Sequence, residues 1–180
     1  MSEETIRTSH VFSGRAIRLR VDTILEKGRE TTREIVEHDE CVAVVAEDNN
    51  GDILLVRQFR KAIEKELLEI PAGGIDPGEG APAAVIREMQ EETGYKPARV
   101  VRLAGFYLSP GFSNEYLHLY LATELTESRL YAEDTDGIKI VRVPPDDIHA
   151  LLTSGEVEDA KTIAGLLYYL KYHQNRPIEA

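Results

Sequence analysis

The chain has 180 residues, 42% of them apolar, with 32 acidic side chains against 21 basic ones and a formal net charge of −11. That is apolar material for one domain with a small extension, and the acidic balance argues against a broad basic surface for nucleic acid or an anionic membrane. The single cysteine, Cys41, excludes an intrachain disulfide framework and fits a reduced, cytoplasmic setting, while no apolar run approaches the roughly 20 residues of a membrane span and the first residues lack the regions of a signal peptide.

Residues 11–25 alternate, with Ile17, Leu19 and Val21 on one side and Arg18, Arg20 and Asp22 on the other. That period of two predicts a half-buried strand. A turn at 26–30, around Lys27 and Gly28, leads to a second strand at 31–38, so residues 1–40 are expected to form a β-hairpin extension. A hairpin alone is marginal in water and needs something to pack on. Segments 41–46 and 53–59 read as strands joined by the turn Asp48-Asn49-Asn50-Gly51-Asp52. Residues 67–70 lead into a loop at 71–80 that contains four glycines and two prolines.

A helix is predicted over 81–93. Pro82 suits its first turn, Gly94 suits the position past its end, and Ala81, Val85 and Met89 form an apolar face. Strands follow at 99–106 and 117–122, then a polar loop at 124–137 and a strand at 138–143 that stops at Pro144-Pro145. A short helix is expected at 146–152 and a last one at 160–173, with Ile163, Leu166, Leu167 and Leu170 inward. Mixed strands with few helices indicate an α/β or α+β sandwich over 41–175. The histidines show no metal-ligand or triad spacing, and His118 within a strand reads as structural.

Residues 73–95 carry a second order of information. Gly73, Glu79, Arg87, Glu88, Glu91, Glu92 and Gly94 stand in the pattern G-x5-E-x7-R-E-U-x-E-E-x-G-U, where U is a bulky apolar residue. Met89 fills the first U, and Tyr95 fills the second with a ring in place of an aliphatic chain. On a helix, Glu88, Glu91 and Glu92 are neighbours and repel one another. Such a face is ordinarily just solvated. The glycine-rich loop directly before it changes that reading, because it can turn tightly and bring backbone close to a ligand. Gathered carboxylates suit hard divalent cations such as Mg2+, which activate water and neutralise phosphoryl charge. Arg87 is four residues before Glu91 and can pair with it, and Glu79 can reach back to Arg87 or the helix start.

The pattern resembles the Nudix box, and the chain is similar to the Nudix hydrolases from about residue 10 to 173. The resemblance implies an α/β/α sandwich with a mixed sheet, to which the N-terminal hairpin is added. It implies Mg2+ or Mn2+ held by Glu88, Glu91, Glu92 and the backbone carbonyl of Ala72, with Arg87 orienting the cluster.

Two segments outside the box resemble the ADP-ribose pyrophosphatases within that family. Ser109-Pro110-Gly111-Phe112-Ser113-Asn114-Glu115 places Pro110 15 residues after Tyr95. Val56-Arg57-Gln58-Phe59-Arg60 is followed by Leu68-Glu69-Ile70-Pro71-Ala72-Gly73. The resemblance implies a small nucleoside diphosphate substrate bound by Ser109, Pro110, Gly111 and Glu115. Arg60 is the first choice for the diphosphate contact and Arg57 the second, while Glu69 touches substrate or braces the loop. It also implies hydrolysis of ADP-ribose to AMP and ribose 5-phosphate, in a homodimer completed by the N-terminal strands.

The proton acceptor for water is expected at Glu133 or Asp136, because the loop at 133–137 does not match the pattern of these enzymes cleanly. Other nucleoside diphosphate substrates stay open, including GDP-mannose and flavin or dinucleotide pyrophosphates. So does a non-catalytic ADP-ribose sensor, against which the complete acidic set argues.

Overall fold

The computed structural model describes residues 3–132 and 135–174. The chain divides into two compact units, Met1–Glu40 with Phe106–Leu117, and Cys41–Gly105 with His118–Ala180.

The first unit is a three-stranded antiparallel meander of β1 (Glu4–Ser13), β2 (Arg18–Glu26) and β3 (Arg29–Glu37), in the order β1-β2-β3. Lys27 and Gly28 form the two-residue turn between β2 and β3, both at positive φ (52° and 78°), as a tight hairpin requires. The sequence predicts one strand over 11–25 and hence a two-stranded hairpin. The structure instead breaks that stretch at Ser13, where the Gly14 N–H donates to the Ile17 carbonyl at 2.9 Å, and adds β1 as a third strand. Residues 108–115 cover the free edge of β3: the Val36 N–H donates to the Phe112 carbonyl at 2.8 Å and the Asn114 N–H to the Val36 carbonyl at 3.2 Å. Every residue of β1, at the opposite edge, is exposed.

The second unit is built on a seven-stranded sheet. Its main path is β10 (Lys139–Val143), β5 (Ile53–Arg60), β4 (Cys41–Glu47), β9 (Tyr116–Glu127) and β8 (Tyr95–Tyr107), with β6 (Lys65–Glu69) paired to β5 and β7 (Ala72–Gly74) paired to β4. β4 is buried from Cys41 to Ala46, as expected of a central strand covered on both faces. Its alternation defines the layers. Val42, Val44 and Ala46 pack with Ala84, Val85 and Met89 of the helical segment after the glycine loop. Val45, on the other face, meets α3 (Ala160–Gln174) at Gly165, where an added Cβ would come within 2.7 Å of Ile70 Cδ1 and 3.2 Å of Val45 Cγ2. The result is an α/β/α sandwich.

Several boundaries differ from the sequence reading. β7 lies inside the stretch expected to be loop, β9 runs on to Glu127, and the helix predicted over 81–93 is α-helical only in α1 (Ala81–Glu88). Met89–Thr93 form a wider π-helical turn that closes at Gly94 in the left-handed region (φ 76°). The Thr93 hydroxyl donates to the Met89 carbonyl, which competes with the backbone ladder there. The short helix expected at 146–152 is a 3-10 turn at Pro145–Asp147 followed by α2 (Ile148–Ser154).

Candidate active site

The site grows from one contact between backbone and side chain. At Gly73 in β7 an added Cβ would overlap the Glu88 carboxylate, so glycine lets this strand lie against the end of α1 with Glu88 undisturbed. One residue earlier, the Ala72 N–H donates to Glu92 Oε2 at 3.1 Å. Two glutamates four apart on the helix thus face two consecutive residues of β7.

Arg87 organises the outer side. Its Nε and Nη2 hold the two oxygens of Glu79 at 3.1 and 2.9 Å, Nη2 also reaches the Gly74 carbonyl at 2.7 Å, and Nη1 donates to Glu88 at 2.6 Å and Glu91 at 3.1 Å. Asp76 Oδ2 stands 3.6 Å from its Nε. Hydrogen bonding to Glu79, and then to Glu88, raises the Arg87 guanidinium against the cost of burial. In return Arg87 holds the Glu79 carboxyl below its ordinary value.

Among the described residues Glu92 has no such partner. It is 8% exposed, and burial followed by the nearby Glu88 charge pushes its carboxyl up to about 8. Among the described residues, the carboxylates of Glu88, Glu91 and Glu92 do not gather as a set within 4.8 Å of one another. Arg87 draws two of them and Ala72 the third. The donors are all oxygen, and Glu92 lacks a compensating positive charge in contact with it. That combination fits a hard divalent cation.

A second ionic group lies on β5, β6 and the start of α3. Arg60 holds Glu69 with two parallel hydrogen bonds, Nε to Oε1 and Nη2 to Oε2, each 2.7 Å. Glu69 is 1% exposed and also pairs with Lys161. Burial alone would raise the Glu69 carboxyl, but Arg60 and Lys161 outweigh it and the net direction is down. Both cations also act electrostatically on Glu92, which places this group beside the glutamate cluster.

Of the sequence candidates, Ala72, Arg87, Glu88, Glu91 and Glu92 come together around the end of α1. Arg60 and Glu69 come together as a pair. Arg57 goes elsewhere: strand residues three apart point to opposite faces, and its Nη2 donates to Glu156 at 2.6 Å. Ser109, Pro110, Gly111 and Glu115 belong to the first unit. There the Ser109 carbonyl accepts the Phe112 and Ser113 N–H groups and the Glu115 carbonyl accepts the Leu108 N–H. Asp136 is exposed at the turn before β10, and Glu133 lies outside the described residues. Lys161 belongs to the helix start Asp159-Ala160-Lys161-Thr162, which resembles the same segment of the ADP-ribose pyrophosphatases, but the sequence assigns it no role of its own. It lies in the first turn of α3, after the capping Asp159.

The chain was compared with known proteins. It is 39% identical over 171 residues to a Bacillus subtilis protein named ADP-ribose pyrophosphatase, covering 93% of this chain and 92% of the relative. It is 37% identical over 169 residues to the methanol dehydrogenase activator of Bacillus methanolicus, covering 92% and 91%. The crystal structure of an ADP compounds hydrolase superposes with a TM-score of 0.89 over 98% of both chains, and its 20% identity speaks for the fold alone. The family model of the NUDIX domain matches residues 37–166, a span that contains the Gly73–Glu88 contact, the Arg87 clamp and the Arg60–Glu69–Lys161 group. The chain therefore belongs to the Nudix hydrolase family.

Proposed function

We propose that this chain hydrolyses the diphosphate linkage of ADP-ribose, or a closely related ADP-sugar, to AMP and the sugar phosphate. The observation that carries the reading is the buried Glu88–Glu92 pair held against Gly73 and Ala72, with the Arg60 guanidinium close enough to act on Glu92. Such a place offers negative oxygens for a divalent cation and a guanidinium N–H, Nη1 of Arg60, for the diphosphate. The names of the relatives favour ADP-ribose as the substrate.

In this reading Glu88, Glu91, Glu92 and the Ala72 carbonyl hold Mg2+ or Mn2+. The bound cation supplies charge neutralisation and water activation. Arg87 fixes Glu88 and Glu91, and Glu79 fixes Arg87. Arg60 binds a phosphate oxygen, and Ser109, Pro110, Gly111 and Glu115 are assigned to substrate binding on the resemblance of their segment. Water attacks one phosphorus and loses a proton to Asp136 or Glu133. The bond from that phosphorus to the bridging oxygen breaks, and the second phosphate leaves on AMP or ribose 5-phosphate. Arg57 keeps a secondary role at most, since Glu156 already holds it.

Residues 1–40 serve in this reading as a dimer-forming extension. β1 supports it, with an open edge and exposed Ile6, Val11 and Phe12. The reading assigns the reaction to the cytoplasm, a reducing setting that a chain with a single cysteine, Cys41, suits. No helix among the described residues is long and apolar enough to cross a membrane.

The test is a panel of nucleoside diphosphate derivatives, incubated with protein and Mg2+ or Mn2+, with products identified chromatographically. AMP and ribose 5-phosphate from ADP-ribose, abolished by chelation and by Glu92→Gln, support the reading. Turnover of GDP-mannose in preference to ADP-ribose, or binding of ADP-ribose without turnover, overturns it.

A further inference from the structure

The first turn of α3 is fastened to the strand that leads into the glutamate cluster. Asp159 caps the helix: the Thr162 N–H donates to its Oδ2 at 2.9 Å. Thr162 Oγ1 then accepts the Ile70 N–H at 2.9 Å, and Lys161 pairs with Glu69 one residue earlier. Lys161 also lies 3.0 Å from Asp159, and its side chain is only 12% exposed. Two residues beyond Ile70, Ala72 meets Glu92.

A buried lysine on a buried carboxylate is expensive unless both are well partnered. Glu69 needs only one cation to balance its charge, and Arg60 already supplies it with ideal fork geometry. Lys161 is in turn balanced by Asp159, so Arg60, Lys161, Glu69 and Asp159 form two cations against two carboxylates. Lys161 also ties Glu69 Oε2 to α3, so the carboxylate plane that sets the Arg60 guanidinium cannot turn freely. The fork uses Nε and Nη2, which leaves Nη1 for another acceptor, and the Arg60 side chain is 40% exposed.

We propose that Lys161 is a positioning residue for the substrate diphosphate, holding Glu69 so that Arg60 presents Nη1 to a phosphate oxygen. The inference rests on the diphosphate hydrolysis proposed above. Positioning of this kind acts on substrate binding through Arg60 and has no effect once Arg60 is gone.

The test is steady-state turnover of ADP-ribose with Mg2+ by the full chain, its variants Lys161→Met, Lys161→Arg and Arg60→Lys, and the double variant Arg60→Lys with Lys161→Met. Lys161→Met keeps the packed stem and removes the charge. It should raise KM about tenfold and change kcat by less than about twofold, with Lys161→Arg returning KM to within about threefold of the parent. In the Arg60→Lys background, which keeps a cation on Glu69 but has no Nη1 to present, Lys161→Met should add less than about twofold. An unchanged KM, a loss confined to kcat, or an equal added penalty without Arg60 overturns the inference. Should Lys161→Met not fold, Lys161→Gln carries the same cycle. Absence of ADP-ribose turnover in the parent protein overturns the proposed function itself, whereas parent turnover with an unchanged KM in Lys161→Met overturns only the role of Lys161.

Discussion

Gly73 and Glu88 touch so closely that any side chain at 73 would occupy the space of the Glu88 carboxyl group. The constraint is close approach, since Gly73 is not among the glycines at positive φ. Gly73→Ala must push Glu88 aside, against its 2.6 Å hydrogen bond from Arg87. Because the displaced atoms are the far end of a side chain, the fold should survive with a loss of about 1–2 kcal/mol. Turnover should fall by at least about tenfold, as expected when a group of the reacting centre is misplaced. Thermal melts beside activity assays check both halves, and parent-like turnover in a folded Gly73→Ala protein counts against Glu88 as a site residue.

Arg87 serves Glu79, Glu88, Glu91 and the Gly74 carbonyl with one planar group. Lysine keeps the charge but has no fork to span them. Arg87→Lys should therefore lower kcat or Mg2+ affinity by about tenfold to a hundredfold, the usual cost of losing a residue that orients metal ligands. Glu79→Gln should fall in the same direction by less, because it leaves the Arg87 contacts to Glu88 and Glu91 in place. A larger loss for Glu79→Gln than for Arg87→Lys, in turnover titrated with Mg2+, would reverse this order of roles.

β1 exposes Ile6, Val11 and Phe12 along a strand whose outer edge has no partner strand among the described residues. Open edges of this kind are ordinarily covered. The protein should sediment as a dimer, and Val11→Asp should weaken association at least about tenfold by placing a charge in the joint. A monomeric parent at micromolar concentration, or a Val11→Asp protein that associates as tightly as the parent, removes β1 from the interface.

That Glu88, Glu91 and Glu92 are neighbours behind a tight loop was legible in the sequence, because helix period and a short glycine loop are local properties. The same locality explains what was not visible. Lys161 meets Glu69 across 92 residues, and Arg57 meets Glu156 across 99, so only the fold could pair them. The opposite facing of Arg57 and Arg60 was available from strand alternation alone. β1 escaped the period-two reading for a specific reason: its register slips between Thr5 and Arg7 and again between His10 and Phe12, which puts Ile6, Val11 and Phe12 out of phase. The π-helical turn at Met89–Thr93 was equally hidden, since the same residues satisfy an α-helical pattern.

Glu92 gives the cluster a pH signature. Its carboxyl is pushed from an ordinary 4.5 to about 8, first by burial and then by Glu88. A carboxyl raised on folding favours the protonated protein, so its contribution to stability is complete below about 4.5 and is lost as pH rises through about 8. Binding a divalent cation needs the charged form and must expel that proton. Calorimetric titration with Mg2+ at pH 7, in two buffers of different ionisation enthalpy, should report close to one proton released per site. At pH 9 the two buffers should give nearly the same heat. Between pH 6 and 7 the apparent Mg2+ affinity should rise by about tenfold, the weight of one proton over one pH unit. Glu92→Gln should abolish the proton release and lose the pH-dependent stability with it. Heats at pH 7 that do not depend on the buffer would mean that Glu92 is already ionised before the cation arrives, and the neutral, buried carboxyl would have to be given up.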